Sequence, residues 1–383
     1  MREAVIVEAV RTPVGKRKGA FSSVRPDDLL AQVLRKLVEK SGISSGLVED
    51  VIIGCVSQVE EQAINIARSA VLMAGFPIHV PATTIDRQCG SSQQAVHFAA
   101  QAILSGDMDI VIAGGVESMT RVPMGSTRRN SRPSEQLTSR YELINQGLSA
   151  ERIAEIWGYS RSELDEFSLL SHQRAIQAQN EGRFDREIMP VEVVNEDGVK
   201  TLITQDEGPR RGTSLEKLAT LPTVFKENGV IHAGNASQMS DGAAALLIMS
   251  KEKALELGLK PRFSIVSRSV IGSDPTLMLT GPIEATKRAL ERAGLTIDEM
   301  DLYEVNEAFA PVPLCWREEL GADLEKLNVN GGAIALGHPL GASGARVMVT
   351  LMHELERTGG ICGLQAICEG GGMANATIIK RLD

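Results

Sequence analysis

The chain has 383 residues, a net charge of −9 and a hydrophobic fraction of 43%. At roughly 150 residues per domain, that length implies two or three domains, and so much apolar side chain excludes a disordered chain. The acidic balance argues against nucleic acid as a partner, the lack of any apolar run near ~18 residues argues against a membrane span, and five cysteines in so long a chain do not make a disulfide framework.

The first residues, MREAVIVEAVRTP, alternate like a strand and carry neither a secretory nor a transit pattern. A cytoplasmic protein is expected. From there the chain repeats itself. Residues 2–15 (REAVIVEAVRTPVG) resemble 262–275 (RFSIVSRSVIGSDP), each a β-rich run that ends in turn residues. Residues 26–42 and 282–294 follow as helices, with Pro near both starts and Gly42 and Gly294 at both ends. Residues 48–56 (VEDVIIGCV) pair with 299–307 (EMDLYEVNE). Residues 83–104 and 327–355 then each read as a strand, a tight turn and a helix. The runs 109–119 (DIVIAGGVESM) and 364–373 (LQAICEGGGM) are strands that enter glycine turns. In the second half the last strand, 374–380 (ANATIIK), comes at once. In the first half its counterpart is 242–250 (GAAALLIMS), more than a hundred residues later. Each half therefore reads β-α-β-β-α-β-β, with an insertion before the last strand of the first. Continuous apolar strands such as VIIGCV fit sheets covered on both faces. Between Arg121 and Arg140 the insertion carries an arginine-rich stretch that reads by default as a solvated loop, with an oligomer contact or an anion site as alternatives.

Three turns gather the reactive residues. Cys89 lies between a strand and a helix in DRQCGSS, where the helix dipole is expected to favour thiolate. Gly90 is expected to permit a tight turn there. His338 lies in the equivalent turn of the second half, in GGAIALGHPLGASGAR; the other five histidines fall in helical patterns, beside strands or in loops. Cys368 ends a strand and meets three glycines. Taken alone each cysteine also reads as core, but the duplication puts all three residues at strand-end turns of one pseudo-symmetric frame. Ligand sites of α/β sheets cluster at such ends. A Cys–His pair with a second Cys suggests a nucleophile, its base and a separate acid/base. A metal site built on Cys89, His338, Cys362 and Cys368 is disfavoured, because the C-x5-C spacing is no recognised zinc knuckle.

These motifs resemble those of the thiolase family over nearly the whole chain: Cys89 in DRQCGSS, NASQMSDGAAA at 235–245, Asn306 in NEAFA, His338 in its glycine-rich turn and Cys368 in CEGGGMA. The resemblance implies an α/β thiolase fold: two duplicated mixed-sheet halves in a layered α-β-α-β-α core with an inserted loop domain. The halves are expected at 1–117 plus 241–261 and at 262–383, with the insertion at 118–240. It implies acyl transfer from a 3-ketoacyl-CoA to free CoA, with CoA as co-substrate, no permanently bound cofactor and no metal. It casts Cys89 as nucleophile, His338 as its base and Cys368 as the acid and base of the second thiol. Asn306 with His338, and the backbone N–H groups of Cys89 and Gly370, become the two oxyanion sites. Ser237 and Arg210 match CoA contacts, Arg211 is a possible helper, and Phe225 and Phe309 are candidate channel walls, for which core packing is the alternative.

The resemblance also implies a homo-oligomer, dimer or tetramer. Short-chain members carry a His-Met pair where this chain has Asn145-Gln146, which points to a degradative enzyme of fatty-acid β-oxidation that takes longer or bulkier acyl chains. A biosynthetic acetoacetyl-CoA thiolase is the alternative. A ketoacyl synthase is disfavoured by Cys368, and a silent acyl-CoA-binding relative by the presence of both Cys89 and His338.

Overall fold

The computed structural model describes residues 2–128, 131–194 and 197–382. The first half supplies β1 (Ala4–Arg11), the short β2 (Gly15–Lys16), α1 (Pro26–Ser41), β3 (Asp50–Gly54), α2 (Ile66–Met73), β4 (Ala82–Ile85), α3 (Ser91–Ser105) and β5 (Ile110–Ser118). The insertion folds as α4 (Glu135–Thr138), α5 (Gln146–Trp157), α6 (Arg161–Asn180), the hairpin β6 (Val191–Val194) and β7 (Lys200–Ile203), and α7 (Leu215–Ala219). Strand β8 (Ser240–Ser250) then returns to the first half, followed by α8 (Lys251–Glu256). The second half runs β9 (Phe263–Gly272), α9 (Gly281–Ala293), β10 (Leu302–Val305), α10 (Pro311–Leu320), α11 (Ala333–Leu336), α12 (Ser343–Thr358), β11 (Cys362–Glu369) and β12 (Met373–Arg381).

The hydrogen-bonded strand order is β10-β11-β12-β9-β1-β8-β5-β3-β4. Read outward from its middle, the order repeats: β1-β8-β5-β3 mirrors β9-β12-β11-β10. The two halves join through Val5–Ser264 and Ile6–Phe263. Strand periodicity explains the layers. Along β8, Ala243, Ala245, Leu247 and Met249 join the core beneath α1, whereas Ala244, Leu246 and Ile248 join that of α3 and α12. Helices α3 and α12 pack on each other between the sheets, and α9 and α10 cover the far face of the second. The result is the expected α-β-α-β-α stack.

One predicted element is missing. The strand expected at 327 in the second half is a single bridge, Tyr303 to Leu327. Asn328 explains it. Its backbone is left-handed at φ 47°, and its side-chain amide takes the ladder's place, accepting from Val305 N at 2.9 Å and donating to Val305 O at 2.9 Å. An amide side chain there satisfies the edge of β10 without a second strand.

The insertion is tied to the sheet by a buried charge cluster. Arg11, at the end of β1, donates to Glu187 at 2.6 Å and to both oxygens of Asp206 at 2.7 and 3.0 Å, with all three side chains buried. Arg121 in the arginine-rich stretch pairs with Glu61; Arg128, Arg132 and Arg140 are exposed, as a solvated loop would be.

Candidate active site

Cys89 sits one residue before the N-cap Gly90 of α3. The turn that presents it is strained at Gln88, whose φ is 49°. Gln88 is held there by its N–H on Asp86 Oδ1 at 2.6 Å and by its carbonyl, which accepts from Ser91 Oγ at 2.6 Å. Gly90 itself has an ordinary φ of −88°, so the tight turn is not what requires glycine. A Cβ at Gly90 would lie 1.9 Å from Glu369 Oε1; glycine is required by the carboxyl that packs against it.

Cys89 packs with Met119, Leu340 and Ile367. Leu340 brings the His338 loop and Ile367 brings the end of β11, so the three turns do converge. The Cys368 thiol is close enough to Cys89 to feel a charge on it. Both N–H groups named for the second oxyanion site, those of Cys89 and Gly370, point at the Cys89 sulfur.

The expectation of a thiolate is overturned. Burial pushes the Cys89 thiol up to about 12, and Glu369 adds to this once it is ionised; the two N–H groups lower it less. Burial likewise raises Cys368. Desolvation outweighs the two N–H groups here and favours the thiol over the thiolate.

His338 is buried, and its surroundings fix its tautomer. Ser343 Oγ donates to Pro339 O at 2.9 Å, so its remaining capacity toward the ring is as acceptor. His338 Nδ1 therefore carries the hydrogen and donates to Ser343 Oγ at 2.6 Å. Nε2 is left with its lone pair, which accepts from Asn306 Nδ2 at 3.4 Å. Burial and then the charge of Arg346 lower His338 to about 3, so the ring is neutral and able to receive a proton. The other Asn306 amide atom, Oδ1, is buried with no partner among the described residues.

The loop that carries His338 is braced by residues that sequence reasoning missed. Gln238 Nε2 donates to Gly208, Ile334 and Ala335 carbonyls at 3.0, 2.9 and 3.0 Å, and its own carbonyl accepts from His338 N at 3.1 Å. Glu307 accepts from Ser171 Oγ, Asn328 Nδ2 and Ile334 N. Glu117 accepts from Val56 N, Ser57 N, Gln62 Nε2 and Gly341 N, which joins the loop after β3 to the loop before α12. Gln238 and Glu307 sit inside the recognised motifs, but side-chain direction within a motif is invisible in its letters.

The candidate CoA residues divide. Ser237 N donates to Ala308 O at 2.9 Å, and the neighbouring Ala236 bridges Phe309, so Ser237 lies on the Asn306 side of the site. Phe225 and Phe309 stack edge to face with centroids 5.9 Å apart, and the Phe225 ring fills the space above Gly147 at the start of α5. Beside them, Gln146 Nε2 and Gln88 Oε1 each lie 3.2 Å from where a Gly370 Cβ would be, so two carboxamides flank Gly370. Arg210 and Arg211 are exposed; Arg210 N donates to His172 Nδ1 at 3.2 Å and Arg211 donates to Asn180 Oδ1 at 2.9 Å. Among the described residues, no contact ties either arginine to the three turns. Cys55 and Cys315 are buried and Cys362 partly so, all as free thiols. Among the described residues, no group of three His, Cys, Asp or Glu could hold a metal ion.

Residues 4–252 match the family model for the thiolase N-terminal domain, and residues 259–381 that for the thiolase C-terminal domain. The chain belongs to the thiolase family. It is 49% identical to a steroid 3-ketoacyl-CoA thiolase of Mycobacterium tuberculosis, over 100% of this chain and 95% of the relative. It is 46% identical to a 3-oxoadipyl-CoA/3-oxo-5,6-dehydrosuberyl-CoA thiolase of Escherichia coli, over the full length of both. The crystal structure of the Bacillus anthracis acetyl-CoA acetyltransferase superposes with a TM-score of 0.93 at 40% identity, covering 100% of this chain and 99% of that one. The protein is thus an acyltransferase with thiolase activity, a family that uses CoA as co-substrate. No helix among the described residues is long and apolar enough to cross a membrane.

Proposed function

We propose that this thiolase cleaves 3-ketoacyl-CoA degradatively through an acyl-Cys89 intermediate. The observation that carries the reading is the tautomer of His338: Nδ1–H on Ser343 leaves the lone pair on Nε2, where the Cys89 proton can go. With a raised thiol and a neutral imidazole, the proton leaves as sulfur attacks the 3-keto carbon, so no thiolate has to accumulate beforehand. The oxyanion formed there stays on the carbon bound to Cys89 and falls to the N–H groups of Cys89 and Gly370, which already converge on the sulfur. Cleavage of the carbon–carbon bond releases the acetyl-CoA enolate, whose oxygen falls to Asn306 and protonated His338 and whose carbon Cys368 protonates; Cys368 then takes the proton of incoming CoA. In the second step the same oxygen, now that of the Cys89 thioester, becomes an oxyanion again at the same two N–H groups.

Ser237, Phe225 and Phe309 are assigned to the pantetheine channel, and the exposed Arg210 and Arg211 to the CoA nucleotide. The halves 1–117 plus 241–261 and 262–383, with the insertion at 118–240, are the proposed domains. The enzyme is assigned to the cytoplasm as a homodimer or homotetramer.

The two carboxamides beside Gly370 favour an acyl group with a hydrogen-bonding substituent over a plain acetyl group. Relatives named for steroid and oxoadipyl substrates support the same direction, whereas the matching crystal structure, that of an acetyl-CoA acetyltransferase, supports the biosynthetic alternative. Activity against acetoacetyl-CoA, medium-chain, branched and carboxylated 3-ketoacyl-CoA, with CoA as acceptor, decides between them. Release of acetyl-CoA from none of these would defeat the proposal; a preference for acetoacetyl-CoA would favour the biosynthetic reading.

A further inference from the structure

Glu369 ends β11, one residue after Cys368 and one before Gly370. It is fully buried, and neither carboxyl oxygen has a hydrogen-bond partner among the described residues. Its counterpart across the duplication is Glu117, near the end of β5, which is equally buried but takes four N–H donors. Glu117 is placed to carry charge. Glu369 is not, because a buried carboxylate that accepts nothing is strongly disfavoured against the neutral acid.

The carboxyl rests on Gly90, directly after the nucleophile. From the turn before α3 it is faced by Asp86, Arg87 and Cys89, and from its own strand by Cys368. Arg87 makes no ion pair with it: the guanidinium reaches Met373 Sδ at 3.8 Å, and its Nε is buried without a partner. From β12 it is faced by Met373 and Asn375, neither of which titrates. Asn375 Nδ2 donates to Gly90 O at 3.5 Å, and its Oδ1 is unpartnered. A negative charge on Glu369 would oppose every anion the site must form at Cys89.

We propose that Glu369 stands outside the reaction as a neutral carboxylic acid packed against the nucleophile's turn, and that its ionisation in alkaline solution shuts off acylation of Cys89. Burial raises it to about 8, Arg87 offsets part of that rise and Asp86 adds to it, so the limit falls just above neutral pH. The proposal rests on Cys89 being the acylated residue.

The test is rapid-quench acylation of the full-length enzyme by acetoacetyl-CoA across the neutral to alkaline range, with the acyl site read by mass spectrometry. The wild type is expected to lose about tenfold per pH unit above the limit, the signature of one proton. Glu369→Gln and Glu369→Met are expected to keep the neutral-pH rate and lose that alkaline fall. Glu304→Gln, at another buried carboxyl raised to about 8, is expected to keep it. An alkaline fall that survives in both Glu369 variants overturns the proposal, as does a fall abolished by Glu304→Gln, or failure of both Glu369 variants to fold. An acyl group found on a residue other than Cys89 defeats the nucleophile assignment instead.

Discussion

Ser343→Ala removes the hydroxyl that holds the His338 ring. In the native site Nδ1–H sits 2.6 Å from Ser343 Oγ, and Ser343 in turn donates to Pro339 O. Without the hydroxyl, a buried N–H loses its acceptor, which costs about 1–3 kcal/mol. The ring can recover by moving its hydrogen to Nε2 and donating to Asn306 Oδ1, which is unpartnered in the native site. That tautomer cannot accept the Cys89 proton. The productive tautomer becomes the minor one, and at ~1.4 kcal/mol per tenfold the acylation rate should drop roughly 5- to 150-fold. KM should move little, since Ser343 is fully buried behind the ring. The assay is the pre-steady-state mass gain on Cys89 after mixing with acetoacetyl-CoA, beside steady-state KM and a thermal melt. Wild-type acylation speed in a folded Ser343→Ala enzyme would refute the tautomer argument.

Cys368→Ala should still acylate on Cys89 when given acyl-CoA, yet fail to turn over; normal multiple-turnover release of acetyl-CoA would remove Cys368 from the mechanism. Gly90→Ala places a Cβ 1.9 Å from Glu369 Oε1 and should cost about 1–3 kcal/mol in urea unfolding; Gly90→Ala with Glu369→Ala should recover most of it, and no recovery would mean the clash lies elsewhere. Glu369 is raised to about 8 in the fold, against ~4.3 when unfolded. Its contribution to stability is therefore fully present below the unfolded value and lost as pH rises through about 8. The melting temperature of Glu369→Gln relative to wild type should climb over that window, and a constant difference would count against a buried neutral acid. Arg11→Ala strands Glu187 and Asp206 as buried carboxylates and should cost about 3–5 kcal/mol, read by denaturant midpoint; a midpoint within error of wild type would show the cluster is not holding the insertion.

The parts of this protein that were legible in the sequence are those written as a pattern along the chain. Strand alternation and helix punctuation exposed the duplication, and the duplication located Cys89, His338 and Cys368 at three turns before any side chain was placed. What stayed hidden depends on which side chain reaches which atom across the fold. Asn328 erases a predicted strand because its amide mimics a ladder, and nothing local distinguishes that asparagine from one in a loop. Gly90 looked like a turn glycine, yet the strain falls on Gln88 and the glycine answers to a glutamate 279 positions away (369 − 90). The thiolate expectation failed for the same reason: a helix N-terminus can be read locally, whereas burial and a facing carboxyl cannot. The deepest case is the pair Glu117 and Glu369. The strand registers make them equivalent, since Asp50–Val111 beside β5 matches Leu302–Gly363 beside β11, and both are glutamates. One gathers four donors and braces two loops; the other gathers none and lies against the nucleophile. Duplication fixed the frame for both, and the divergence of their neighbours is what turned one copy of that frame into scaffold and the other into a site.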